Sequence, residues 1–234
     1  MISVCMPTYN GEKYIREQIE SILPQLSDID ELIISDDSSS DNTLGIVKSF
    51  NDCRIKIFQG HFHSPIFNLE NALKNAKGDY IYTADQDDVW KPNKVSVVQK
   101  YLENYDCVVS DAVVVDLNRN VINDSFFKLR KSRPGKIWNL IHNSYLGCCM
   151  AFNKRILDIA LPFPKDIPMH DIWIGAVADN FGKPVFIKDK LIEYRRHGNN
   201  ASPAAEKSRY SLIDKIRFRM AIVMNIGKRK NECK

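Results

Sequence analysis

Three short apolar runs, Ile2–Met6, Glu31–Ser35 and Tyr80–Ala84, each give way at once to a polar cluster, and helical patterns fill the intervals. Strands alternating with helices predict βαβ units and a parallel sheet. After Asn10-Gly11, the residues Ile15, Ile19, Ile22 and Leu23 recur at helical spacing, and Pro24 closes that helix. Asp41 is suited to cap a helix over Asn42–Phe50, and Arg54–Phe58 reads as another strand. A helix from Asn68 to Ala76 then ends at Gly78, read as a left-handed C′ position.

Further along, the sequence predicts a helix near Asn93–Asn104, a strand at Cys107–Ser110, and an antiparallel pair of Val113–Asp116 with the segment around Val121. Later come a strand at Cys148–Phe152, helices at Lys154–Ala160 and Asp171–Phe181, strands at Val185–Ile187 and Leu191–Arg195, and a basic helix from about Glu206. The fold class expected is α/β, a Rossmann-like mixed sheet flanked by helices. At 234 residues the chain suits one domain, residues 1–205, with a basic amphipathic helix over 206–234.

Charge divides along the same line. From Lys207 to Lys234 nine Lys/Arg stand against two Asp/Glu, a local +7; the net charge of +4 leaves −3 for the first 206 residues. Leu212, Ile213, Ile216, Met220 and Val223 form an apolar stripe among these basic residues, a pattern that favours an anionic membrane surface, or else a helix packed on the body. No aromatic interleaving beyond Phe218 accompanies the tail, so nucleic acid is not expected as a partner. The opening residues lack a basic and apolar leader, and no apolar run is long enough to span a bilayer, which predicts a cytoplasmic protein; attachment at the inner face of the cell membrane is left open and would come through the tail. Six cysteines with no C-x-x-C spacing are expected to be reduced and structural.

Ligands of a parallel sheet bind outside the carboxyl ends of the strands. Pro7-Thr8-Tyr9-Asn10, Asp36-Asp37-Ser38-Ser39-Ser40-Asp41 and Asp85-Gln86-Asp87-Asp88 all stand there. Carboxylates gathered at one edge repel unless a cation or donors occupy the site, and hard oxygen ligands at Asp85 and Asp87 suit Mg²⁺ or Mn²⁺. The bland reading of D-Q-D-D is a solvated turn. Asp41 supplies the helix cap, which leaves Asp36 free to accept hydrogen bonds from a base or ribose. The loop after the first strand has only Gly11 and no G-x-G-x-x-G, so a dinucleotide site is not expected.

These three clusters, in order, resemble family 2 glycosyltransferases of the GT-A fold. Gly147-Cys148-Cys149-Met150-Ala151-Phe152 is similar to that family's acceptor-side strand, His170-Asp171 to its Glu-Asp segment, and Tyr194-Arg195-Arg196-His197 to its R-x-H segment. Together with D-Q-D-D-V-W and R-R-H-G-N-N, the likeness is to bacterial enzymes of O-antigen and capsule assembly, some of them rhamnosyltransferases. The resemblance implies that Pro7, Thr8, Tyr9, Asn10, Asp36, Asp85 and Gln86 hold the nucleotide, that Asp87 and His197 hold the metal, and that Asp171 is the general base. Trp90, Gly147, Cys148, His170 and Trp173 would line the sugar or acceptor pocket, although either tryptophan is equally suited to a core. His170 stands where the family commonly has Glu, so the first acidic position of that segment is lost.

The activity implied is inverting transfer of a hexosyl or deoxyhexosyl group from a nucleotide-diphosphate sugar to a glycan acceptor, for which a polyprenyl-diphosphate carrier is an option. A sugar-phosphate nucleotidyltransferase and a silent glycan-binding module are the alternatives. The first fits poorly with Thr8-Tyr9-Asn10-Gly11-Glu12-Lys13, and retention of Asp36, Asp85, Asp87 and Asp171 argues against the second.

Overall fold

A computed structural model describes residues 1–197 and 211–232. In chain order the elements are β1 (Ile2–Thr8), α1 (Ile15–Ile22), β2 (Glu31–Asp36), α2 (Thr43–Ser49), β3 (Ile55–Gln59), α3 (Pro65–Lys74), β4 (Tyr80–Thr83), β5 (Val89–Trp90), α4 (Lys94–Leu102) and β6 (Cys107–Val115). They continue with β7 (Val121–Asn123), α5 (Phe126–Arg130), α6 (Lys136–His142), β8 (Met150–Asn153), α7 (Lys154–Ala160), α8 (His170–Phe181), β9 (Pro184–Arg195) and α9 (Leu212–Glu232). One mixed sheet runs β3-β2-β1-β4-β8-β6-β9-β5, with β7 paired to β6.

The first half is parallel: β2 and β4 flank β1, and β3 lies beyond β2. Val4, Cys5, Met6, Leu32, Ile33 and Ile34 are wholly buried, as expected of strands covered by helices on both faces. α1 covers one face with Ile15, Ile19 and Ile22, and Pro24 turns the chain out of it into a 3₁₀ turn over Leu23–Gln25. α3 starts earlier than predicted because Ser64 caps it, accepting from Phe67 N, and Pro65 fits its first turn. Gly78 does not take the predicted left-handed role. A Cβ there would stand 2.7 Å from Ser3 N, so close approach to β1 is what demands glycine.

The second half departs further from expectation. β6 and β9 are each one continuous strand rather than two, paired parallel through register shifts around Ser110 and Asp111. Asp111, at that irregularity, accepts from Ser125 Oγ (2.5 Å) and Phe127 N (2.9 Å) and so anchors the start of α5. α9 packs on the body: Ala221, Ile222 and Ile226 are buried, Arg219 donates to the carbonyls of Leu140 and Ile141, and Arg229 donates to that of Pro162. Ile213, Ile216, Met220 and Val223 of the predicted stripe remain exposed, while the side chain of Leu212, the domain boundary at 205/206 and Gly198-Asn199-Asn200 lie outside the described residues. The five described cysteines are free thiols, and no described helix is long and apolar enough to cross a membrane.

Candidate functional site

The carboxyl ends of β1, β2 and β4 bring the three polar clusters into direct contact. Tyr9 N donates to Gln86 Oε1 (2.9 Å) and Gln86 Nε2 donates to Tyr9 O (3.0 Å), so one amide clasps the first loop to the third. Asn10, with φ of 47°, donates from its N–H to Ser39 Oγ and accepts from Ser40 N at Oδ1, which joins the first loop to the second. Gly11 packs against the same amide: a Cβ there would lie 2.3 Å from Gln86 Oε1 and would push that side chain out of its clasp.

Asp36 is wholly buried and is not free for a ligand: it accepts from Ser39 N (2.9 Å), Ser39 Oγ (2.6 Å) and Thr8 Oγ1 (2.9 Å). It shapes the loop that other groups would use. Its neighbour Asp37 accepts from the N–H groups of Phe62, His63 and Ser64 and fixes the loop after β3. Tyr9 is 58% exposed at the rim, with its ring available to a planar group.

Beyond β4, the Oδ2 of Asp87 and the Nε2 of His197 stand 2.7 Å apart. His197 is stacked on Tyr14 at 5.0 Å, and the Arg195 guanidinium lies over the other ring of that pair and reaches Glu17 Oε2. Arg195 N donates to Asp88 Oδ1 (2.9 Å), which ties the end of β9 to the acidic loop. Burial, then the charges of Asp87 and Asp171, push the Asp85 carboxyl up to about 7, and burial with Asp87 and Asp85 pushes Asp88 well above the carboxylate range.

Opposing this concentration of charge is Lys94, wholly buried, whose ammonium donates to Cys148 O (2.8 Å) and lies 4.0 Å from the centre of the Trp90 ring. Burial pulls its pKa down to about 8, while the neighbouring thiols and carboxylates act in the other direction.

Two sets of donors could receive a divalent cation. Asp87 and His197 present oxygen and nitrogen to the cleft, whereas ligand atoms of Asp85, Asp88 and Cys148 lie within 4.8 Å of one another deeper in the fold. The second set suits Mg²⁺ or Mn²⁺ less well. Burial holds the Cys148 thiol neutral, sulfur is a soft ligand, and Asp88 is already engaged by Arg195 N, although its Oδ2 has no partner among the described residues.

Asp171 stands in the first turn of α8, 8% exposed. Burial raises its pKa to about 6, against the opposing hydrogen bonds from Ile172 N and Asn143 Nδ2 and the charge of Arg130. Its neighbour His170 is held neutral, its pKa lowered by burial to about 4. Gly147 packs against both: a Cβ there would meet His170 Nε2 at 2.8 Å. Thr83, the last residue of β4, donates to Gly147 O (2.5 Å) and so links the strand that carries the acidic loop to the segment facing the base.

Of the predicted pocket residues, Gly147 and His170 join this face. Cys148 lies beneath it, wholly buried. Both tryptophans are core residues instead: Trp90 is 2% exposed in β5 against Tyr82, and Trp173 is fully buried with its indole N–H donating to Ala160 O (2.9 Å). Size and apolarity settle both in the core. Thr83, Lys94 and Asn143 join the site without having been singled out from the sequence, and only the position of Lys94 just after the acidic loop could have pointed to one of them.

The sequence model of glycosyl transferase family 2 matches residues 3–159. The UDP-Glc:alpha-D-GlcNAc-diphosphoundecaprenol beta-1,3-glucosyltransferase WfgD of Escherichia coli is 32% identical over 184 residues, 77% of this chain and 71% of that protein. The glycosyltransferase GlyG of Streptococcus pneumoniae serotype 4 is 33% identical over 236 residues, 86% of this chain and 72% of its own. Among solved structures, S. aureus TarS 1–349 in complex with UDP-GlcNAc superposes with a TM-score of 0.73 at 23% identity over 96% of this chain and 66% of that one. The mannosyltransferase PcManGT from Pyrobaculum calidifontis, in complex with GDP-Man and Mn²⁺, gives 0.61 at 20% identity over 97% and 63%. The chain thus spans just under two thirds of each of these two structures.

Proposed function

The chain belongs to glycosyl transferase family 2, and from that premise we propose that it moves a hexosyl or deoxyhexosyl group from a nucleotide-diphosphate sugar to a glycan acceptor, with inversion, in bacterial surface polysaccharide assembly. The observation that carries this reading is the Asp87–His197 pair beyond β4, with Asp171 joined to the end of that strand through Gly147 and Thr83. Family membership displaces the nucleotidyltransferase and binding-module alternatives.

Asn10 and Asp36 shape the nucleotide site through their contacts with Ser39, Thr8 donates to Asp36, Gln86 holds the first loop in place, and the exposed Tyr9 ring offers a face to the base. Asp87 and His197 fit a hard divalent cation; Mg²⁺ or Mn²⁺ bound there would neutralise the departing diphosphate. Asp171 takes the proton from the acceptor hydroxyl as that oxygen attacks the anomeric carbon opposite the nucleotide. A carboxylate with a pKa of about 6 is ionised at neutral pH and is a better proton acceptor than an ordinary aspartate. Gly147 and neutral His170 leave room and a polar wall on the acceptor side.

The acceptor is proposed to be carried on a polyprenyl diphosphate, the chemistry named for the WfgD acceptor. The enzyme would meet it at the cytoplasmic face of the membrane, through the exposed stripe and basic residues of α9. Nucleotide sugars supplied with Mn²⁺ and a diphosphate-linked acceptor test the reading: NMR of the product is expected to show an anomeric centre inverted relative to the donor. Retention of configuration, or no transfer from any donor, would overturn it.

A further inference from the structure

The chain between α5 and α6 passes Asp171 as a basic turn. Arg130, Lys131, Arg133 and Lys136 lie within seven residues, and none of them pairs with a carboxylate among the described residues. Arg130 is near enough to oppose the rise in the Asp171 pKa. Arg133 N donates to Ser144 Oγ (3.0 Å), and its guanidinium lies 3.6 Å from the centre of the Trp138 ring, which holds the turn against the residues that follow α6. Asn143, beside Ser144, reaches Asp171 Oδ2 at 3.5 Å.

From Asn143 a groove of about 350 Å³ runs between α6, α8 and α9, walled by Ile137, Leu140, Ile172, Ala176, Val223 and Ile226. That volume is at the small end of ligand sites, and the lining is apolar as such sites are. Ile137 is 77% exposed and Val223 55%, an arrangement that leaves large apolar side chains in water at its mouth. Asp171 therefore has two neighbours of different character: a basic turn that carries Arg130, and an apolar channel that opens from Asn143 and Ile172.

We propose that this turn and groove bind the carrier of the acceptor: a glycan joined through a diphosphate to an isoprenoid chain, with its hydroxyl at Asp171, its diphosphate on the basic turn and its chain in the groove. The match is one of charge and polarity, since guanidinium and ammonium groups complement phosphate oxygens and the groove walls complement a hydrocarbon. The inference rests on the transferase reading, and it goes further by assigning the site to residues outside the donor cleft.

Farnesyl diphosphate is the probe, titrated calorimetrically into the full chain already saturated with UDP and Mn²⁺ so that the donor cleft is filled. Farnesol and inorganic pyrophosphate, each lacking one half of the chemistry, are expected to bind at least about tenfold more weakly. The exposed pairs Ile137→Glu with Val223→Glu, and Lys131→Glu with Arg133→Glu, are each expected to weaken farnesyl diphosphate by roughly tenfold, about 1.4 kcal/mol, while UDP affinity stays at the parental value and certifies the fold. Parental affinity in both double variants, no binding of the probe to a chain that binds UDP, or equal competition by phosphatidylglycerol micelles would each overturn the assignment. A chain that fails to bind UDP with Mn²⁺ would instead count against the transferase reading itself.

Discussion

The imidazole Nε2 of His197 lies 2.7 Å from Oδ2 of Asp87, although 110 residues separate them along the chain. Two residues of ligating type held in contact at the cleft make the pair the expected seat of the metal. Asp87→Ala and His197→Ala should each lower kcat/KM by about 10²–10³, as loss of a few kcal/mol of charge stabilisation requires. Mn²⁺ affinity in the presence of UDP, read by electron paramagnetic resonance, should fall in both. Unchanged Mn²⁺ affinity in His197→Ala would reduce the histidine to an ion-pair partner.

Asp171→Asn separates catalysis from stability. The parent's kcat/KM should rise with pH through about 6, as the base ionises. Because the folded pKa lies above the ordinary 3.8, folding favours the protonated form; that stabilisation is complete below 3.8 and is lost as pH rises through about 6. The span corresponds to about 3 kcal/mol at 1.36 kcal/mol per pH unit, more than the roughly 0.3–1 kcal/mol a first-turn carboxylate contributes through the helix dipole. The Asn variant should therefore match the parent near pH 4, melt above it at pH 8, and turn over about 10²–10⁴-fold more slowly. A lower melting temperature at pH 8, or near-parental turnover, would contradict the assignment.

Trp173 tests the correction of its role. Trp173→Phe removes the hydrogen bond to Ala160 O and leaves that carbonyl unpaired, costing about 1–3 kcal/mol before any cavity is counted. Chemical denaturation should show that loss, and calorimetric affinity for the nucleotide sugar should not change. A large fall in sugar affinity with stability intact would restore the tryptophan to the pocket.

The membrane contact is best tested without truncation, because removing α9 would strip Ile222 and Ile226 from the body they pack against. Ile213→Glu, Ile216→Glu and Met220→Glu change only exposed positions. The parent should float with phosphatidylglycerol vesicles and be released by salt, and the triple variant should remain below. Equal flotation of the two would remove the stripe from the account.

The first half of the fold was readable because its strands are continuous apolar runs and each cluster follows one directly; Pro7–Asn10, Asp36 and Asp85–Asp88 lie where sheet logic puts them. Between Asp124 and Leu146 that signal fades. α5 and α6 are short, and α5 depends on Asp111, an acceptor fourteen residues before Ser125. β5 is only Val89–Trp90, too brief for alternation to reveal, and it took Trp90 into the core. The Asp36 misreading has a different source. Local sequence identifies a carboxylate at a strand end but not the Ser39 and Thr8 donors that consume it. Asp87 and His197, by contrast, could be paired only through the family likeness.

Lys94 gives the cleft a property that matters over many turnovers. Its ammonium is sealed under the acidic loop on Cys148 O, shut off from solvent. Each cycle ends with product leaving, and the carboxylates must then wait for the next donor. A resident cation offsets part of their mutual repulsion during that wait. With that cation built into the fold, the empty cleft depends less on a bound metal to keep its carboxylates together.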